Sequence, residues 1–255
     1  DIDGAFGRDG AQHLHGTHIV VTGGKKIAIT IKDDSVKAPV GGGCYDLLGD
    51  QLVPVDILSL EYIAMKGQLS TVPENLYIVA TTDNTDIWME GNVGAPDANI
   101  NTGETYKYTF AAVDYVHVRA SDPVIVLHVS GFGCEVGGAI LPPTDYCTGS
   151  TQVGFTRSTD QGFFLNLMVR NGAEDGFLLN GAPTGLITAG DFGAITGTTD
   201  WLAARIGPLS TADIPVGAQS LISNTIDVFH LGIINGSNTG GTRFGYFSDY
   251  NEMEV

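Results

Sequence analysis

The sequence predicts an all-β, sandwich-like fold with very little helix. Short runs in which apolar and polar residues alternate follow one another at intervals of roughly 8 to 14 residues, a spacing typical of all-β domains. The 35 glycines are spread along the 255-residue chain, and with Asn and Asp they separate these runs as turn formers do. Helical periodicity is nearly absent, and short helical turns are expected only at 54–62 and 199–207.

The composition is that of a folded, acidic protein. Hydrophobic residues make up 43% of the chain and charged residues 16%, which disfavours disorder. The 12 basic and 29 acidic side chains give a formal net charge of −17. A field of this sign repels phosphate backbones and anionic lipids, so we expect no nucleic acid partner and no membrane insertion, and we expect divalent cations to be better partners.

Two stretches, 15–34 and 113–133, share one pattern of a histidine and two runs of alternating aliphatic residues around a short polar break. His117 lies 99 positions after His18, and at this offset the stretches align without a gap. Two strands joined by a tight turn have this pattern. Both stretches are therefore predicted to be hairpins in equivalent positions.

This internal similarity predicts that the chain is built from pseudo-repeated β-units of about 100 residues. We expect a first unit over 1–105 and a second over 106–255, packed together as one fragment of a larger protein. The second unit includes a partial third copy, which contains Leu221.

Three cysteines, Cys44, Cys134 and Cys147, occur without the C-x-x-C spacing of zinc knuckles and thioredoxin-like motifs. Cys134 and Cys147 flank a loop rich in Gly and Pro, and we predict that a disulfide joins them. Buried, reduced thiols are the alternative interpretation. A disulfide would favour an oxidising compartment.

Aspartates occur in close pairs at several points of the chain. Calcium takes six to eight oxygen ligands, which loops with neighbouring carboxylates and carbonyl groups can supply. The pairs Asp33 with Asp34 and Asp83 with Asp86 are the candidate calcium ligands, although no pair matches the EF-hand pattern. The alternative is that they form turns and caps on a solvated acidic surface. No other cofactor is indicated.

No catalytic motif is present. The sequence has no G-x-S-x-G nucleophile turn, and its glycine-rich segment lacks the Lys-Ser/Thr of a phosphate-binding loop. Aromatic side chains could instead form a binding face for a sugar or a protein, with core packing as the alternative for each. The aromatic candidates are Tyr45, Trp88, Tyr106, Tyr108, Trp201, Tyr246, Phe247 and Tyr250.

An ordered series of segments resembles a known family. The series includes YDLLGDQLVPV, ATTDNTDIWMEG, SDPVIVLHVSGFG and VFHLGIING, and it extends from about residue 15 to residue 250. It resembles the IgGFc-binding protein N-terminal domain family, in the version found in large secreted surface proteins of gliding Bacteroidetes. The resemblance implies an extracellular, non-catalytic module of an adhesin-like protein at the cell surface.

Three functions are consistent with these observations. The first is an adhesion or ligand-binding module whose partners are a glycan or a protein and the neighbouring domains of the same large chain. The second is a structural spacer that stacks β-units at the cell surface. A secreted hydrolase is the third and least favoured.

Overall fold

The computed structural model describes residues 16–37, 45–70, 73–110, 112–145 and 148–249. Strands dominate this part of the chain, which confirms the predicted all-β class. The described strands are β1 (Thr30–Lys37), β2 (Tyr45–Gln51), β3 (Ser59–Met65), β4 (Gln68–Leu69), β5 (Asn75–Ala80), β6 (Thr85–Met89), β7 (Ala98–Ile100), β8 (Thr105–Thr109), β9 (Tyr115–Gly133), β10 (Glu135–Ile140), β11 (Gln152–Thr156), β12 (Gly162–Arg170), β13 (Phe177–Leu179), β14 (Ala182–Pro183), β15 (Gly193–Ala194), β16 (Trp201–Ile206), β17 (Gln219–Asn224), β18 (Phe229–Gly236) and β19 (Thr242–Tyr246).

The helical content is limited to single turns of 3₁₀ helix at Val55–Ile57, Glu174–Gly176 and Ala189–Asp191 within the residues described. The first lies in the predicted turn at 54–62. The predicted turn at 199–207 is wrong, because β16 occupies this segment and buries Trp201 and Ala203 between its neighbours.

The strands form four sheets. A ribbon pairs β1 with β2, and an eight-stranded sheet has the order β7-β6-β9-β5-β8, with β3, β4 and β10 also paired to β9. A four-stranded sheet, β11-β17-β13-β14, faces a five-stranded sheet, β15-β16-β12-β18-β19, across a shared apolar core. This arrangement is the predicted sandwich. Buried residues alternate with exposed or half-buried ones in β11 and β17, whereas β12 and β18 are buried on both faces.

The stretch 113–133 is not a hairpin but one continuous 19-residue strand, β9. Its first half pairs with β3 and β6, and its second half with β5 and β10. The polar break that resembles a turn lies where the partners change, and Pro123 accepts a 2.5 Å hydrogen bond there from the Thr81 hydroxyl. A proline in a central strand is tolerated where the ladder is interrupted, since it has no N–H to donate. The hairpin prediction is therefore wrong here.

The earlier stretch also differs from the prediction. Its described residues 16–29 form no strand, and β1, which begins at Thr30, pairs with β2 rather than with the preceding segment. The two stretches therefore do not occupy equivalent positions. Residue 105 is the first residue of β8, in the same sheet as β9. The division into two units and the partial third copy stay predictions.

The ribbon is fastened to the outer edge of β10 by carboxylates. Asp46 Oδ2 accepts a 2.8 Å hydrogen bond from the backbone N–H of Val136, and Asp50 Oδ2 accepts one of 2.7 Å from Ile140. The carboxylates thus occupy backbone donors that a further strand would otherwise use. On its face, β10 packs against β19, where the Thr242 hydroxyl donates to the carbonyl of Glu135 at 2.9 Å. The cleft described next lies between these elements.

Candidate functional site

A cleft of about 250 Å³ lies between the ribbon and β10 on one side and β18, β19 and the end of β11 on the other. It is smaller than the roughly 300–1,000 Å³ of pockets for drug-sized ligands, so it suits a short segment of a larger ligand. Its lining residues are Leu47, Gly49, Gly137, Gly138, Thr156, Ser158, Phe163, Ile233, Asn235, Thr242, Arg243, Phe244, Gly245 and Phe247.

Glycines in β10 allow the walls of the cleft to come together. A Cβ atom added at Gly137 would lie 3.1 Å from Cβ of Phe244, and one at Gly138 would collide with the side chain of Leu48. Backbone therefore replaces side chains on this wall of the cleft. A ligand can approach main-chain groups there without a Cβ in its way.

Two large apolar side chains of the lining are strongly exposed. Leu47 of β2 is 60% exposed and Phe247, directly after β19, is 50% exposed. Phe244, another lining residue, is half-buried, with its ring edge-on to His128 at 5.3 Å and to Tyr246 at 6.0 Å. Exposed apolar groups beside a cleft are a usual feature of binding surfaces.

A buried polar cluster lies behind Phe244. Glu74 Oε2 is 3.1 Å from Nε2 of His128 and accepts a 2.8 Å hydrogen bond from the N–H of Gly67. Burial alone would raise the pKa of Glu74, but the hydrogen bond and charge of His128 and the Gly67 N–H outweigh it, so the pKa is lowered. Burial and then the charge of Glu74 raise the pKa of Tyr246.

This cluster contains a carboxylate, an imidazole and the hydroxyl of Ser130, groups that also occur in hydrolase active sites. Glu74 is 2% exposed, and His128 and Ser130 are fully buried. The cluster is therefore closed to a substrate in this structure, and Glu74 Oε1, His128 Nδ1 and Ser130 Oγ are buried without a hydrogen-bond partner among the described residues.

The candidate calcium ligands are only partly described. Asp83 Oδ1 accepts a 3.0 Å hydrogen bond from the N–H of Thr102, and hydrogen bonds from the Thr102 side chain and then from its backbone lower the pKa of Asp83. Asp86 Oδ1 accepts one of 2.8 Å from Asn99 Nδ2.

The side chains of the other two candidates, Asp33 and Asp34, lie outside the described residues, although their backbone belongs to β1. Among the side chains that the structure describes, no three His, Cys, Asp or Glu residues converge as metal ligands. The calcium site stays a prediction.

The cysteines are likewise only partly described. Cys134, between β9 and β10, is disulfide-bonded, and its Sγ lies 4.0 Å from the carbonyl oxygen of Asn238. Cys44 and Cys147 both lie outside the described residues. A disulfide at Cys134 is therefore present, and its pairing with Cys147 stays a prediction.

The aromatic candidates divide between core and surface. Trp201 is buried and donates a 2.8 Å hydrogen bond to the carbonyl of Thr144, whereas Phe247 lines the cleft and Tyr45 is 46% exposed on the ribbon. Tyr250 lies outside the described residues. Sequence reasoning missed Leu47 and Arg243, because no local signal distinguishes a cleft residue from any other residue of an exposed strand.

Comparison with known proteins identifies the family. No curated protein and no solved structure matches this chain. The model of one family, described as IgGFc binding protein, matches residues 7–225, which is most of the chain and includes every strand from β1 to β17. The chain therefore belongs to the IgGFc binding protein family.

Proposed function

We propose that this chain is an extracellular, non-catalytic binding module, part of a large adhesive cell-surface protein, and that it holds a glycan or protein ligand in the cleft beside β19. The carrying observation is the pair of exposed apolar side chains, Leu47 of the ribbon and Phe247 after β19, that line a cleft with a backbone wall. Such anchors contribute most of the affinity of an interface when a ligand covers them.

Two further observations support the extracellular assignment. The family is named for binding the Fc part of immunoglobulin G, a secreted protein. A disulfide at Cys134 is typical of proteins that fold outside the reducing cytosol. The described residues contain no helix of sufficient length and apolarity to cross a bilayer.

Array binding with the purified chain tests the proposal, with immobilised glycans, surface proteins and the immunoglobulin Fc fragment as probes. We expect Leu47→Ser and Phe247→Ala each to weaken the binding of a positive probe by about tenfold or more. Val93→Ser is the matched control, because Val93 is 93% exposed in the loop between β6 and β7, away from the cleft. Equal losses in all three variants, or none in the cleft variants, would contradict a role for the cleft.

A second function, a structural spacer, is favoured by one separate observation. The described segment 16–31 exposes five aliphatic side chains, from 38% to 68%. They are Ile19, Val20, Val21, Ile27 and Ile31. Strand-forming residues that remain exposed in one unit are typical of surfaces that a stacked neighbour covers.

Self-association of the purified chain is the measurement that tests stacking on a neighbouring unit. If the segment stacks, the purified chain should dimerise in sedimentation velocity runs at high concentration, and Val20→Lys with Ile27→Lys should abolish the dimer. Val93→Lys should leave it intact. A monomer at all concentrations removes the support for the spacer.

A further inference from the structure

Arg243 differs from the other arginines in the described part of the chain. The guanidinium of Arg119 stacks on Trp88, and that of Arg170 on Trp201. Arg157 and Arg205 are hydrogen-bonded to backbone carbonyl groups, and Arg205 also pairs with Asp114. Arg243 is exposed and has no hydrogen-bond, ion-pair or ring partner among the described residues. Its five N–H donors are therefore available to a ligand.

The charge around Arg243 is unusual for this chain. Acidic residues outnumber basic ones by 29 to 12 overall, yet the cleft lining includes one arginine and no aspartate or glutamate among the described residues. The acidic side chains of β2, Asp46 and Asp50, already accept hydrogen bonds from β10. Burial, and then the hydrogen bond and charge of Asp46, raise the pKa of Glu135. The cleft is thus a local cationic site on an acidic protein.

Two hydroxyl groups of the lining already donate their hydrogen atoms within the protein. Ser158 donates its hydroxyl hydrogen to Oδ1 of Asn235 at 2.9 Å, and Thr242 donates to the carbonyl of Glu135. Their oxygens retain lone pairs that can accept N–H groups, but they have no second hydrogen to give to an anion. The lining therefore combines one strong anion-binding group with hydrogen-bond acceptors and apolar side chains.

We propose that the cleft recognises an extended peptide segment of a partner protein in which a carboxylate side chain lies beside a large apolar one; this rests on the proposed function of the cleft. The guanidinium pairs with the carboxylate in the two-point geometry that arginine favours. The apolar side chain covers Leu47 and Phe247, and peptide N–H groups meet the hydroxyl oxygens. An acidic sugar also matches the arginine, but it lacks a large apolar side chain to cover Leu47 and Phe247, so a peptide fits better.

Short peptides test this proposal. The probe is acetyl-Phe-Glu-Leu-amide, and acetyl-Phe-Gln-Leu-amide is its neutral counterpart; binding is followed by backbone NMR shifts of the full chain. We expect the acidic peptide to shift resonances at 242–247 and to bind about tenfold more tightly than the neutral one. This ratio of affinities corresponds to the extra strength of a hydrogen bond to a charged group. Arg243→Gln should remove this preference, and Lys107→Gln, an equal charge change on exposed β8, should retain it.

The outcomes separate this inference from the proposed function. If both peptides bind equally and Phe247→Ala weakens both, the cleft is a binding site but its preference for a carboxylate is wrong. The same inference fails if glucuronic acid shifts 242–247 and neither peptide does. If no probe shifts these resonances and the arrays show no cleft-dependent ligand, both the inference and the proposed function fail.

Discussion

Arg157 is a buried cation that is neutralised by backbone dipoles rather than by a carboxylate. It is 2% exposed, and its guanidinium carbon lies over the ring of Phe163, 5.1 Å from the ring centroid. Each of its five N–H donors meets a carbonyl oxygen at 2.6–3.3 Å, in the residues Thr159, Asp160, Gln161, Leu209 and Ile214. The side chain thus joins the turn after β11 to the loop after β16.

We expect Arg157→Lys to lower the free energy of unfolding by about 2 kcal/mol or more, because an ammonium has three donors and leaves buried carbonyl groups unpaired. Urea denaturation provides the measurement. Arg243→Lys, the same chemical change at an exposed position, should alter it by about 0.5 kcal/mol or less. Equal effects at both positions would show that the five hydrogen bonds from Arg157 to carbonyl groups contribute nothing to stability.

His230 is a buried neutral histidine. Its Nδ1 lies 2.8 Å from Oγ of Ser248 and its Nε2 lies 3.2 Å from Oγ1 of Thr148. Burial, and then the nearby charge of Arg170, lower the pKa of His230 to about 3. Between the ordinary value of 6.5 and this value the unfolded chain binds a proton that the native state does not, so stability falls as pH decreases through that range.

This histidine should lower the free energy of unfolding by about 2 kcal/mol between pH 7 and pH 5. His230→Gln, although less stable at both pH values, should lose most of that pH dependence, while His18→Gln at an exposed position should keep it. Glu74, whose pKa is lowered, also makes the free energy of unfolding fall with decreasing pH, but only below its ordinary pKa of 4.5. Urea curves with parallel pH dependence in wild type and His230→Gln would refute the assignment.

At the scale of elements, the ribbon lies on β10 in one constant register. Asp46 bonds to Val136 and Asp50 to Ile140, and each partner lies 90 positions later in the chain. The contact of Leu48 with the Gly138 position has the same offset. Because side chains on one face of a strand recur every second residue, Asp46, Leu48 and Asp50 all face β10.

Cys134 is disulfide-bonded, and both other cysteines, Cys44 and Cys147, lie outside the described residues. Peptide mapping of the unreduced protein by mass spectrometry should find the predicted Cys134–Cys147 linkage and a free thiol at Cys44. Cys44→Ser should then preserve the oxidised mass pattern, and Cys147→Ser should release the Cys134 thiol. A Cys44–Cys134 peptide would contradict the predicted pairing.

At the scale of the whole molecule, the formal net charge of −17 makes the native state sensitive to cations. If a calcium site exists, millimolar calcium acting at a site of roughly 10 µM affinity adds about 2.7 kcal/mol to the free energy of unfolding. We expect calcium to raise the melting temperature more than magnesium at matched ionic strength, and Asp83→Asn with Asp86→Asn to reduce the difference. Asp175→Asn is the control; equal melting curves in calcium, magnesium and chelator remove the site.

The sequence by itself determined the all-β class and the family. These depend on local alternation and turn residues, which are readable one segment at a time: the apolar run at 62–65 lies in β3 and the run at 76–80 lies in β5. The same local information led to the wrong result for β9, because a polar break of three residues is compatible both with a turn and with a change of partner strands.

Only the tertiary structure decided the cleft. Leu47 and Phe247 lie 200 positions apart, and they face one opening because the ribbon bonds to β10 and β10 packs on β19. Such contacts depend on register, and a shift of one residue turns every side chain of a strand to its other face. The charge of Arg243 was visible in the sequence, but its lack of a partner is a property of the folded chain, in which every other described arginine has one.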